Sequence, residues 1–322
     1  MIAKVHVKGI LLSLLIGLSA YVLSSAYTFF NSILLGLVMG MVIGNFVRVP
    51  TAYGSGITFT SGKLLEFSLL FLAFGISYTS VSKIGLMSFT CIIITIVVVL
   101  VLTIALSRKL NFSDSSCHLI GFGTAICGSS AIAAVSSSVT KNKEDIGISL
   151  AVVNLLGAIG MISLPILLTY VPVSMVKSGF IIGGSLHSVG NVAGAAYTMG
   201  DEIGQTAITI KLARVALLSP ALIFFRYLVN KGTSNWKEHF RLPWYVWSFI
   251  GISILTSVLD IPADMISTSE TIGKVILTVA MAAIGLKVSF RTLYQSGKKA
   301  VLIGMVIFLI QLALLLLFAL FL

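Results

Sequence analysis

Lys211 and Arg214 stand three apart inside the apolar stretch ITIKLARVALL, so on a helix both project from one face. Charge inside a membrane-length apolar segment is costly unless it meets a cavity or a partner, and it marks function by default. Two fixed cations beside glycine-rich backbone describe an anion site. The planar donor fork of Arg214 suits a tetrahedral oxyanion better than a lysine's point charge. Arg214 is therefore expected to be the principal ligand with Lys211 assisting, and Arg214→Lys to weaken binding by about 1.5–3 kcal/mol. Lys211 lies near the start of its helix, which leaves open a second reading in which it snorkels to the headgroups. His187, close to Gly183, Gly184 and Gly190, either bonds a freed carbonyl or carries a coupled proton. In the latter case transport falls across roughly pH 6 to 8.

Around Thr124, Cys127, Ser129 and Ser130 the chain runs GTAICGSSAIAA, with glycine before the serines and alanines after them. Such a segment offers amides and hydroxyls that replace a ligand's water, or it packs helices closely. Asn154 and Asn191 are intramembrane amides able to donate or accept. Gly128 and Gly190 mark the places where the backbone is expected to break.

The elements that must position these groups are two copies of one unit. Residues 119–139 recur at an offset of 62, where Gly121, Gly128, Ala131, Ala133 and Ala134 match Gly183, Gly190, Ala193, Ala195 and Ala196. The register persists into the next helix, from Ile146 through Leu156 against Ile208 through Leu218. The units are 119–170 and 179–227. Their frameworks agree and their polar groups do not: Ala125, Ser149 and Val152 stand where the second copy has His187, Lys211 and Arg214. Backbone in lipid must satisfy its own hydrogen bonds, so glycine-interrupted, hydroxyl-rich segments belong against protein or a wet cavity, where transporters place their sites. The segments 119–139 and 176–198 either cross as broken helices or turn back as re-entrant hairpins. A weaker echo pairs Lys63 to Gly85 with Lys274 to Gly297, in opposite predicted directions, which suggests inverted repeats.

With 57% hydrophobic and 10% charged residues among 322, the chain is a polytopic helical membrane protein organised as one transmembrane domain. Apolar runs at about 10–27, 30–46, 64–80, 84–106, 119–139, 146–170, 176–198, 207–227, 244–259, 272–287 and 300–322 give up to eleven segments, nine if the two interrupted ones turn back. Gly36, Gly40 and Gly44 share one face of the second, which points to close helix packing. The formal charge of +11 comes from basic residues scattered at the ends of apolar runs, a topology signal and no nucleic-acid footprint. Arg48, Arg108, Lys231, Lys237, Arg241 and Arg291 fall on one side; Glu144, Asp145, Asp201, Glu202, Asp260 and Asp264 fall on the other. The amino terminus is accordingly expected in the cytoplasm and the carboxyl terminus outside. Cys91, Cys117 and Cys127 lack CxxC spacing and a histidine pair, so neither metal nor cofactor is expected.

The motifs GTAICGSSAIAA (123–134), SLHSVGNVAGAA (185–196), KLARVALLSP (211–220) and AMAAIGLK (280–287) resemble the YeiH-type bacterial inner-membrane proteins, labelled sulfate exporters by inference. The resemblance runs from about Leu64 onward. It implies a multi-pass plasma-membrane transporter with sulfate or a related sulfur oxyanion as substrate. Many members carry an acid directly after the histidine, where this chain has Ser188, so a coupling scheme through that carboxylate does not transfer.

The rival classes are an anion channel and, more remotely, an intramembrane enzyme. The chain has no GxSxG, HExxH or GxGD motif. Expected partners are a small anion, membrane lipid and a coupling ion, H+ or Na+, with a homodimer left open.

Overall fold

The computed structural model describes residues 2–26, 31–75, 78–109, 114–230, 244–259, 261–288 and 298–322. Lys231, Lys237, Arg241, Asp260, Arg291 and Gly297, all used in the topology and repeat readings, lie outside the described residues. Every regular element among those described is a helix. The elements are α1 (Ile2–Ala26), α2 (Ser32–Phe46), α3 (Gly54–Phe59), α4 (Leu65–Ala73), α5 (Tyr78–Lys109), α6 (Asp114–Ala125), α7 (Ser129–Val139) and α8 (Lys143–Thr169). They continue with α9 (Met175–Ser185), α10 (Val189–Met199), α11 (Asp201–Ala216), α12 (Leu218–Asn230), α13 (Trp244–Val258), α14 (Ala263–Lys287) and α15 (Lys298–Phe321).

Most apolar runs read from the sequence coincide with a helix or a helix pair. The run at 64–80 is displaced, because the helical stretch there is Thr51–Ala73 and the next helix begins at Tyr78, and the run at 272–287 is the latter part of the longer α14. Six helical stretches are long and apolar enough to span a bilayer by themselves, and the pair α11 and α12, bent by 46°, makes a seventh. α2 and α13, at 15 residues each, fall short of the roughly 20 residues a full crossing needs. The two glycine-interrupted segments appear as the pairs α6–α7 and α9–α10.

The chain divides into two compact units, 1–82 with 193–205 and 244–290, and 83–192 with 206–243 and 291–322. In the first, α14 is the central helix and α1, α2 and α4 pack on it. Small residues allow this. A Cβ on Gly40 would stand 2.2 Å from the Ala282 carbonyl oxygen, and one on Gly285 2.3 Å from that of Leu37. Gly36 and Gly44 meet the Thr278 and Leu286 carbonyls in the same way, so the shared glycine face of α2 is a packing seam. In the same unit Lys274 pairs with Asp201 at 2.8 Å, and Gln205 donates to Glu270 at 3.0 Å.

In the second unit α15 packs against α6, α8 and α9. Gly304 admits Val152 and Leu156 of α8, and Gly160 admits Phe308 of α15. Gly183 lies so close to α11 that a Cβ would stand 2.4 Å from the Ala207 carbonyl oxygen. That approach brings the end of α9 within reach of residues one and two turns further along α11, which are Lys211 and Arg214.

Candidate functional site

The last carbonyls of any helix lack intrahelical partners, and inside a bilayer no solvent replaces them. α6 and α9 both end inside the second unit, so the question is where their carbonyls go. At α6 the Gly123 oxygen accepts from the Gly128 amide at 2.8 Å. The Ala125 oxygen accepts from Arg214 Nε at 2.8 Å, the Thr124 oxygen from Arg214 Nη2, and the Ile126 oxygen from Lys211 Nζ at 2.8 Å. At α9 the Ile182 oxygen accepts from the Leu186 amide at 3.1 Å. Arg214 Nη1 donates to the oxygens of Gly184, at 2.6 Å, and Leu186, at 3.1 Å, and Lys211 Nζ donates to Leu186 at 2.7 Å. Gln311 of α15 completes the set, its Nε2 donating to Gly184 at 2.7 Å and Ser185 at 3.2 Å.

One pair of cations therefore joins the carboxyl-terminal ends of two broken helices. Lys211 and Arg214 are 0% and 1% exposed, which rules out snorkelling to the headgroups. The helix ends they meet carry about half a negative charge each, which favours cations there. Arg214 is not an open fork awaiting an anion, because Nε, Nη1 and Nη2 are all engaged with carbonyls. Direct ligation through Arg214 would have to break those bonds.

The two breaks differ in construction. Gly128 has φ 72° and ψ −126°, a conformation that side-chain-bearing residues rarely adopt. The chain turns sharply there. Nine residues of continuous helix would separate 123 from 132 by about 13.5 Å, yet Ile132 fills the space beside Gly123, where a Cβ would stand 2.8 Å from its Cγ1. In the second pair the break falls at residues 186–188, and Gly190 sits in the first turn of α10, where it was expected to be the break itself. Leu186 adopts ordinary extended backbone, φ −68° and ψ 150°, which needs no glycine. Ser188 then caps α10, its Oγ accepting from the Asn191 amide at 3.1 Å. Gly128 has no side chain with which to do the same for α7.

The remaining candidates surround this junction. His187 is 1% exposed, both ring nitrogens lack a hydrogen-bond partner among the described residues, and its ring faces Phe308 at 5.1 Å. A Cβ on Gly128 would stand 3.4 Å from the His187 Cβ, so the two breaks touch. Asn191 is buried with its Nδ2 against Gly157. Thr124 Oγ1 is likewise buried and unpartnered. At the start of α7, Ser129 Oγ donates to Asn154 Oδ1 at 2.6 Å, and Cys127 Sγ lies 2.9 Å from Ser130 Oγ. Ser130 and Asn154 are exposed, whereas residues 121–128 and 181–187 are all buried.

Gln311 escaped the sequence reading. Its signal was present, a single amide inside the apolar run FLIQLALLLLF. Among the described residues no cluster of histidine, cysteine or carboxylate side chains could hold a metal ion.

A family model described as "Conserved hypothetical protein 698" matches residues 8–304. Over 315 residues the chain is 31% identical to a UPF0324 membrane protein of Lactiplantibacillus plantarum, covering 93% of this chain and 94% of the relative. It is 29% identical to the UPF0324 membrane protein YdhF of Lactococcus lactis, covering 96% and 97%, and 28% identical to a UPF0324 membrane protein of Bordetella bronchiseptica, covering 87% and 90%. Among solved structures, the sodium proton antiporter MjNhaP1 from Methanocaldococcus jannaschii aligns over 96% of this chain and 100% of its own at 15% identity and a TM-score of 0.31. The motifs, the family match and the full-length relatives agree: the chain is a multi-pass membrane protein belonging to the Conserved hypothetical protein 698 family, the YeiH-type UPF0324 membrane proteins.

Proposed function

We propose that the protein carries a small anion across the bacterial plasma membrane, with sulfate or a related sulfur oxyanion as the first candidate. The observation that carries this reading is a charge imbalance. The ion pairs among the described residues are Lys63 with Glu66 and Lys274 with Asp201, and neither involves Lys211 or Arg214. Two buried positive charges thus meet only carbonyl dipoles. The two α-helix carboxyl ends return about one negative charge in total, while the amino ends of α7 and α10 add about one positive. The junction is left with a positive field that an incoming anion would neutralise.

In this reading Lys211 and Arg214 supply field and rigidity rather than direct ligation. The contact groups are the uncapped amides and hydroxyls at Ser129 and Ser130, with Cys127, Thr124, Asn154, Asn191 and the backbone at Gly128 and Gly190 around them. His187 offers one donor and one acceptor nitrogen for the anion or for a coupled proton. The burial of residues 121–128 and 181–187 favours a carrier, whose access must alternate, over an open channel. The basic residues favour a cytoplasmic amino terminus and an external carboxyl terminus.

A thermal-shift screen of purified protein against sulfate, sulfite, thiosulfate, sulfonates and carboxylates tests the reading. At least one anion should raise the melting temperature in a saturable way, and Ser129→Ala combined with Ser130→Ala should reduce that rise while leaving the unliganded stability within about 1 kcal/mol of wild type. Stabilisation by Na+ alone, with every anion silent, would remove the anion reading.

A further inference from the structure

We infer that the second unit carries a site for an anionic phospholipid, in the groove between the first turn of α9 and the end of α15. The groove measures about 580 Å³ and is lined by Lys177, Ser174, Ile181, Leu316, Leu317 and Leu320, among others, none of them acidic. Its place in the fold puts it at a membrane face. α8 ends at Thr169, the loop through Pro172 leads into α9 at Met175, and α15 ends at Phe321, so three helix ends meet there. The fully exposed ring of Tyr170, at 84%, fits an aromatic at headgroup level.

Polarity is graded along the groove. Lys177 stands at the mouth, half-buried, in no ion pair among the described residues. Ile181 is one turn further along the same face of α9 and completely buried, and the leucines of α15 form the opposite apolar wall. The amino terminus of α9 adds its positive dipole end to the lysine's charge. A headgroup phosphate at the mouth with an acyl chain lying along the exposed Leu317 and Leu320 matches both halves of this layout. The ammonium of a zwitterionic choline headgroup would meet Lys177 unfavourably, so a phosphate esterified to an uncharged glycerol, which leaves the headgroup with a net negative charge, is the complementary one.

The test is native mass spectrometry of the delipidated full chain in mild detergent. It would be titrated with phosphatidylglycerol and with phosphatidylcholine of the same acyl chains, and with glycerol phosphate as the chain-free competitor. Wild type should retain phosphatidylglycerol several-fold better than phosphatidylcholine. Lys177→Gln should bring the two lipids level, Lys177→Arg should keep the preference, and Leu317→Trp, which narrows the apolar wall, should lower retention of both. An unchanged preference in Lys177→Gln overturns the site. So does displacement of phosphatidylglycerol by glycerol phosphate at equal concentration, which would make it a soluble-phosphate site. A Leu317→Trp chain that binds both lipids normally but changes its dimer fraction would make the groove a contact for a second copy, and overturns it too.

Discussion

The two sister segments, 119–139 and 179–199, solve one problem with different parts. Both interrupt a helix inside the bilayer, and both leave carbonyls that need donors. The first turns through a left-handed glycine and leaves the next helix uncapped; the second turns through extended residues and caps the next helix with Ser188. Neither partner helix is self-sufficient in the same way. α8 offers Ser149, whose hydroxyl is spent on the Asp145 and Ser116 carbonyls, and Val152, which packs on Gly304. α11 offers Lys211 and Arg214, which serve both breaks at once. The missing cations of the first copy are thus supplied by the second. A duplicated framework has become a single shared junction, and its asymmetry leaves one helix start without a side-chain cap.

The strongest way to break this comparison is to remove the shared donors. Arg214→Leu strands the Thr124 and Ala125 carbonyls, while Gly184 and Leu186 keep Gln311 and Lys211. At about 1–3 kcal/mol for each unsatisfied buried group, the loss should reach several kcal/mol. Lys211→Leu strands only the Ile126 carbonyl and should cost about 1–3 kcal/mol. Chemical or thermal unfolding in detergent checks the order. Equal, small losses would show that the cations do not serve as donors to the helix ends. Arg214→Lys should lower stability before it alters any anion's affinity, the reverse of what a direct-ligand role requires.

A smaller effect sharpens the difference in backbone. Gly128→Ala places a Cβ at φ 72°, a strain of about 1–3 kcal/mol, although the space beside His187 would admit it at ordinary contact distance. Its melting temperature should fall through backbone strain alone. The smallest expected effect separates the two helix starts. Ser188→Ala removes a cap and should cost about 1 kcal/mol. Ser129→Ala removes no cap, only the bond to the exposed Asn154 amide, and should cost less than Ser188→Ala while lowering the anion-induced shift. Equal melting losses for these two variants would contradict the assignment of an open start to α7.

Much of this was legible beforehand for a physical reason. Spans, interruptions and the repeat are local or periodic properties, and lipid punishes unsatisfied backbone so severely that apolar runs and their glycine breaks show in the residues themselves. The seam of Gly36, Gly40 and Gly44 was readable because helical spacing alone puts those residues on one face. The exact break in 179–199 was not. The offset of 62 pointed to Gly190, but an extended Leu186 followed by a capping serine ends a helix without any glycine.

By itself, the sequence determined that the chain lies in a membrane, that two glycine-rich segments lie at its centre, and that Arg214, and Lys211 unless it snorkels, needs partners inside it. Only the tertiary structure decided what holds them. The partners are carbonyls of residues 124–126, 184 and 186, up to 90 positions away, and every residue type carries a carbonyl, so no side-chain pattern announces which ones are exposed. That choice depends on where two helices stop and how closely Gly183 lets α9 approach α11. These are properties of packing, and they make Lys211 and Arg214 the donors that join two broken helix ends.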